Sequence, residues 1–217
     1  MLAYKFRSSS QIPFALDIIF NRRLYCSDWH TLNDAAEGTP VMSGPREKHA
    51  EYLKYADEVS QQMDRIRVCS LSQTFDSHQL WAHYASAWDG LAIEIELPDV
   101  SHQIRKVDYG AFYCVIDPNR ADSTEDAKRV LSTKDKGWSY EREIRILDES
   151  KWFHLQKPVR RVIAGHRMNP AMLEGLRVIC KAKGVTLCKT GIGDEGIDAD
   201  RVYPVRMRRL SITQGGD

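Results

Sequence analysis

The segment "GWSYEREIRIL" at residues 137–147 sets two carboxylates and a guanidinium at alternate positions. Read as a strand from Tyr140 to Leu147, it points successive side chains to opposite faces. Glu141, Glu143 and Arg145 then share one face, and Tyr140, Arg142, Ile144 and Ile146 share the other. Two readings of the charged face stand side by side. On a solvated face, Glu143 beside Arg145 is an ordinary exposed pair. On a cleft wall, one glutamate can hold a ribose hydroxyl and stabilise a positively charged sugar transition state, while the second deprotonates an acceptor. Paired carboxylates do that work in sugar transfer. The strand alone does not choose between the two.

"QLWAHYA" at 79–85 is the second constellation. Ser77 starts a helix that carries Trp81, Tyr84, Ala85 and Trp88 at i, i+3, i+4 and i+7. Core packing is the default for Trp81 and Tyr84. Each also has a polar tip that needs a partner when buried, and together they could wall a planar ligand ring. His83 falls off that face, as a surface group would.

Other motifs carry less. "GIGDEG" at 191–196 has GxGxxG spacing after a strand, but "IDADRVYPV" follows as loop and strand. A dinucleotide fingerprint needs a helix N-terminus there, and Asp194 and Glu195 would repel a pyrophosphate. A hairpin loop is expected instead. Cys26 and His30 have C-x3-H spacing with no second ligand pair, and the deaminase, GxSxG and H-E-x-x-H patterns are missing. No metal is expected.

The elements that must hold these residues follow from periodicity. Strands are predicted at 3–7, 66–73, 91–97, 103–109, 111–116, 140–147, 161–165, 185–189 and 201–205. Helices are predicted from Ser10, with Pro13 in the first turn and Phe14, Ile18 and Ile19 inward; over 45–64, with Leu53, Ala56, Val59 and Met63 as the apolar stripe; from Ser77; from Ser123 to about Lys134; and over 170–183, ended by Gly184. Residues 32–38, "LNDAAEG", read as a turn. With no repeat or linker, the pattern gives a single α+β domain over 1–217, with a largely antiparallel, split sheet flanked by helices.

Bulk properties agree with a globular chain. It has 217 residues, 42% hydrophobic and 28% charged, with net charge +1. That balance does not suit a polycation built for nucleic acid, although residues 158–217 are locally basic. The absence of an 18-residue apolar run or a signal layout predicts a cytoplasmic protein without a membrane contact. Five cysteines without a CxxC pair read as reduced thiols, several of them in strands.

"YKFR" at 4–7, "LNDAAEG" at 32–38, "CSLS" at 69–72, "LWAHYASAWDG" at 80–90 and "WSYEREIRI" at 138–146 together resemble a widespread, uncharacterised bacterial family of unknown function. The "RVIAGHRM" strand also fits. The chain departs from that family at Leu32, where Phe is usual, and at Ala35-Ala36, which replaces Pro-Phe. A second resemblance is to ADP-ribosyltransferases. These carry a basic residue on the first strand, a Ser-x-Ser or Tyr on or after a middle strand, and a Glu-x-Glu on a later one. Arg7, Ser70-Leu71-Ser72 with Tyr84, and Glu141-Arg142-Glu143 are similar in order. The resemblance implies NAD as substrate, in a toxin or defence effector acting on a protein or nucleic-acid acceptor. Arg7 would grip a phosphate or ribose, with Ser70 and Ser72 beside it, and Tyr84 or Trp81 would stack on nicotinamide. Glu143 would hold the ribose, and Glu141 would orient the acceptor. Two rival classes remain: a non-enzymatic nucleotide- or peptide-binding regulatory domain, and a metal-dependent nuclease or nucleotide-processing enzyme using Glu141, Glu143 and Asp34.

Overall fold

The computed structural model of the chain describes residues 1–42, 48–99, 101–110, 113–120, 122–193 and 196–198. Its main sheet has eight strands: β1 (Leu2–Arg7), β2 (Ser27–Asp28), β3 (Arg67–Ser72), β4 (Leu91–Glu96), β5 (Ile104–Lys106), β6 (Glu143–Asp148), β7 (Arg161–Ala164) and β8 (Thr186–Lys189). They lie in the order β8-β7-β4-β1-β3-β6-β5, with β2 also against β3. Every pairing in this sheet is antiparallel except β7 with β8. The expected α+β class with a mostly antiparallel sheet is what the chain forms.

The sheet is split at its centre. β1 pairs with β4 along its whole length, from Leu2↔Glu96 to Arg7↔Leu91. On its other side β1 meets β3 at one position, Tyr4↔Ser72. The start of β3 is taken by β2, which pairs Ser27 with Val68 and Asp28 with Arg67. Between these contacts the backbones of β1 and β3 diverge. The Lys5 ammonium fills part of the gap and donates to the Ser70 carbonyl at 2.7 Å. Buried backbone groups need such partners when a ladder ends early.

Among the described residues five α-helices flank the sheet: α1 (Ile12–Asn21), α2 (His49–Arg65), α3 (His78–Tyr84), α4 (Ser123–Val130) and α5 (Pro170–Lys183). Alternation along β1 feeds two cores. Ala3 joins Ile18, Ile19, Ile93, Ile95 and Leu176 under α1 and α5. Tyr4 and Phe6 join Phe75, Trp81, Trp88 and Ile163. A third cluster packs Tyr55, Val59 and Met63 of α2 against Val130, Leu131 and Leu147. α5 keeps its predicted limits, because Asn169 caps Ala171 N–H, Pro170 opens the helix, and Gly184 closes it at φ 67°. All five cysteines are free and buried.

Several expectations change. Phe14 is exposed, and Ile12, Ala15, Ile18 and Ile19 form the inner face of α1. In α2 the buried stripe is Tyr52, Tyr55, Val59 and Met63, and Leu53 faces solvent. The helix from Ser123 stops at Val130, so Lys134 lies in a short strand, Thr133–Asp135, parallel to Asp108–Gly110. The 103–109 strand divides into Ile104–Lys106 and Asp108–Gly110, which belong to different sheets. Gly191–Gly193 and Gly196–Asp198 form an antiparallel pair where a hairpin loop is predicted. The 201–205 strand, Asp194-Glu195 and the starts of the 45–64 helix and the 111–116 strand lie outside the described residues. Among the described residues no helix is long and apolar enough to cross a membrane.

Two further corrections concern the site itself. α3 ends at Tyr84, and Ser86, Ala87 and Trp88 all have positive φ. Trp88 therefore reaches the core from a tight loop rather than from a fourth helical turn. Gly90 lies directly under that loop, and a Cβ there would stand 2.2 Å from the Arg7 carbonyl. The strand predicted from Tyr140 begins at Glu143. Residues Lys136–Glu141 form a 3-10 helix capped by Asp135, and Arg142 turns the chain at φ 45°. Glu141 and Glu143 are thus not strand neighbours.

Candidate functional site

A cavity of about 340 Å³ opens in the split between β1 and β3. Arg7, Ser70, Ser72, Tyr84, Glu141 and Glu143 all line it, although they lie far apart in the sequence. Trp81 does not. It is fully buried, stacks on Trp88 at 5.1 Å, meets Phe6 edge-on, and donates its indole N–H to the Phe75 carbonyl. Its polar tip has its partner in the core, so Trp81 supports the wall from behind and cannot stack on a ligand. Asp34 is also absent from the lining; its side chain accepts from Ala36 N–H.

The 137–147 face is not solvated. Glu141 and Glu143 are each 4% exposed and Arg145 is fully buried. Buried charges must be paired, and these are. Arg145 donates to both oxygens of Glu143, Nε at 2.8 Å and Nη2 at 3.1 Å, and to Glu37 at 2.8 Å and the Leu131 carbonyl at 2.8 Å. The ammonium of Lys134 sits at the junction of three carboxylates: Glu141 at 2.7 Å, Glu37 at 3.0 Å and Glu143 at 3.2 Å. Lys134, itself 3% exposed, lines the cavity. Its ammonium also lies 4.8 Å from the centre of the Trp138 ring.

This network separates the two cavity carboxyls. Burial opposes the charged form of Glu143, but Arg145, Lys134 and a hydrogen bond from the Ser70 hydroxyl outweigh it and hold the carboxyl at about 2. Burial dominates at Glu141 and raises it despite Lys134 and Tyr84. Two carboxyls pushed apart in this way are suited to different tasks, one a fixed charge and the other a base nearer its working range. The Tyr84 hydroxyl donates to Glu141, and burial together with that carboxylate raises its own pKa. Asn33 donates to the same hydroxyl at 2.5 Å. Ser72 fixes the loop rather than the ligand, donating to the Glu141 carbonyl at 2.6 Å and accepting from Thr74 N–H.

The opposite wall is cationic. Lys5 and Arg7 are half-buried and make no direct ion pair among the described residues, although the Cys69 thiol lies close enough to act on both and the Glu143 carboxylate on Lys5. Burial lowers the pKa of both. The buried Nε of Arg7 has no hydrogen-bond partner. The cavity therefore has two cations on one side, beside the buried Cys69 thiol, whose pKa is lowered by a hydrogen bond with Cys26 and by these cations. On the other, three carboxylates face two cations and, counting every group ionised, leave one negative charge.

Sequence reasoning missed Lys5, Asn33, Glu37 and Lys134. Lys5 shares the alternation of Arg7 along β1, and that spacing was a usable signal. Glu37 and Asn33 come from the 32–38 turn, where Gly38 at φ 75° lets the chain pass the Trp29 ring. Compared with known proteins, the chain matches no family model, no curated protein and no solved structure.

Proposed function

We propose that this chain binds NAD in the split-sheet cavity and transfers ADP-ribose from it, as ADP-ribosyltransferases do, within the cytoplasm. The observation that carries the reading is the charge layout. NAD has a cationic nicotinamide ribose at one end of a pyrophosphate. The cations Lys5 and Arg7 suit the pyrophosphate, since a guanidinium fork matches phosphate oxygens. The net negative charge around Glu143 suits the positive sugar.

In this reading Glu143, kept ionised by Arg145 and Lys134, favours cleavage of the bond between the ribose C1′ and nicotinamide. The bonding electrons leave with the ring nitrogen, and the ribose becomes an oxocarbenium ion beside the carboxylate. Tyr84, whose hydroxyl is tied to Glu141 and Asn33, offers its ring to nicotinamide. Glu141 takes the proton of the acceptor as it attacks C1′. The nuclease alternative is less well supported. The Lys134 ammonium already occupies the position between Glu141 and Glu143 that a divalent ion would need.

The test is nicotinamide release from NAD, with NAD binding followed by calorimetry. Glu143→Gln should lower cleavage by roughly 10²–10³, the scale of one preorganised electrostatic group, with binding retained. Wild-type protein that binds NAD without cleaving it would favour the regulatory binding domain. Protein that does neither would overturn the proposal.

A further inference from the structure

A run of neighbouring rings borders Glu141, and Trp138 at its far end also meets the Lys134 ammonium that binds Glu141. Trp138 and Tyr140 are 6.0 Å apart, Tyr140 and His83 6.1 Å, and His83 and Tyr84 6.2 Å, centroid to centroid. Trp138, Tyr140 and Tyr84 are half-buried and His83 is exposed, unlike the buried core aromatics Trp81 and Trp88. His83 and Tyr84 line the cavity, and Tyr84 ends the row on the carboxylate of Glu141.

The composition of this strip says what it suits. Residues 136–142, "KGWSYER", contain no aliphatic side chain. Lys136 and Arg142 are exposed, whereas Glu141 is buried and held by Lys134 and Tyr84. The surface thus offers ring faces and cations and lacks the aliphatic patch of a protein-docking site. Partly exposed rings, tilted to one another by 31–55°, beside cations match the chemistry of single-stranded nucleic acid, whose bases stack on aromatic side chains regardless of sequence while its phosphates meet Lys and Arg.

The geometry points to the Trp138–Tyr140–His83 row as a stacking platform that delivers a base of a single-stranded nucleic acid to Glu141 as the acceptor. This rests on the proposed transferase activity for its last step, though binding by the platform does not. The near-neutral net charge of the chain suits such local capture rather than a groove that tracks a long backbone.

The experiment measures binding of short fluorescein-labelled poly-dT and poly-A RNA by anisotropy, for wild type, Tyr140→Ala and Tyr140→Phe, across a salt series. Expected is binding that weakens with salt and is stronger for single strands than for the matching duplex. Tyr140→Ala should weaken it roughly 5- to 150-fold, the effect of losing one stacked base, and Tyr140→Phe should restore it. NAD binding by Tyr140→Ala should be unchanged, because Tyr140 does not line the cavity. The platform is overturned if oligonucleotides fail to bind, if the alanine and phenylalanine variants bind alike, or if a Trp-containing acidic peptide competes through Tyr140 and the oligonucleotides do not. NAD cleavage without oligonucleotide binding would leave the transferase and remove the platform. Oligonucleotide binding through Tyr140 without NAD binding would do the reverse.

Discussion

Lys134→Met is the sharpest test of the buried charge network. In the wild type the Lys134 ammonium contacts Glu37, Glu141 and Glu143 at 2.7–3.2 Å with its side chain 2% exposed. Methionine keeps much of the length and removes the charge. Glu37 and Glu143 then retain Arg145, but Glu141 is left with the Tyr84 hydroxyl alone. Removing one partner from a buried ion pair typically costs about 3–5 kcal/mol. For a chain of this length that is a fall of roughly 6–20 °C in Tm. The loss should concentrate on Glu141, so Lys134→Met with Glu141→Gln should recover about 1–3 kcal/mol relative to additivity. The pH dependence has a definite sign. Without Lys134, Glu141, already raised by burial, rises further above its unfolded value. A raised carboxyl binds its proton in the folded state first, so its stabilising effect is present at low pH and lost as pH rises through the folded pKa. The deficit of the variant should therefore shrink between about pH 7.5 and pH 5. Glu143 also loses Lys134 in the variant but keeps Arg145, which lowers its carboxyl more than Lys134 does, so its carboxyl stays lowered and its contribution is lost only towards acid. Urea denaturation at the two pH values reads the result. A deficit under about 1 kcal/mol at pH 7.5, the size of a surface pair, or an equal deficit at pH 5, would refute the reasoning.

Glu141→Gln should spare hydrolysis of NAD and impair transfer to an acceptor, whereas Glu143→Gln should impair both; nicotinamide release with and without acceptor separates them. Trp88→Ala should cost about 3–5 kcal/mol, because it empties a buried aromatic site. Tyr84→Phe should cost about 1–3 kcal/mol, because it leaves a buried Glu141 oxygen without its hydroxyl donor, and should keep NAD binding, because the ring remains. Equal melting losses for these two variants would contradict the split of roles. Gly90→Ala would place its Cβ 2.2 Å from the Arg7 carbonyl. It should cost about 1–3 kcal/mol by overpacking and should weaken NAD binding as the end of β1 shifts, with both read on the same preparation.

The class of the fold was legible because it rests on periodicity. The alternation in 91–97 and the Pro170-to-Gly184 punctuation each produced an element of the expected type, although the strand, expected to be half-buried, is buried on both faces because Tyr4 and Arg161 hold Glu94. Boundaries failed where the backbone takes a conformation its residues do not advertise. Left-handed φ is usually marked by glycine, yet here Ser86, Ala87, Trp88 and Arg142 adopt it. Ser86 is held in place by contacts with Ser9, 77 residues away, which no local window can see. At 135–137 a signal was present and overlooked. The Asp135 side chain accepts from Gly137 N–H, an Asx-type turn that starts the 3-10 helix and delays β6 until Glu143.

The site shows the same division more clearly. Residue types at ordered positions along the chain singled out Arg7, Ser70, Ser72, Tyr84, Glu141 and Glu143, and the split sheet gathers all six around one cavity. What the order of motifs cannot supply is charge compensation. Two glutamates and an arginine at i, i+2 and i+4 satisfy one another only in part, and burial then demands another cation and the rest of the hydrogen bonds. These came from Lys134, read as the end of a helix, and from Glu37 and Asn33, read only as part of a turn. Arg142 is the hinge of the arrangement. Its left-handed turn lets Glu141 meet Lys134 and Tyr84 while Glu143 stays in the strand with Arg145. A regular strand through 140–147 would have placed both carboxylates on one face with similar surroundings. The turn gives them different ones, and the difference in their pKa shifts follows from it.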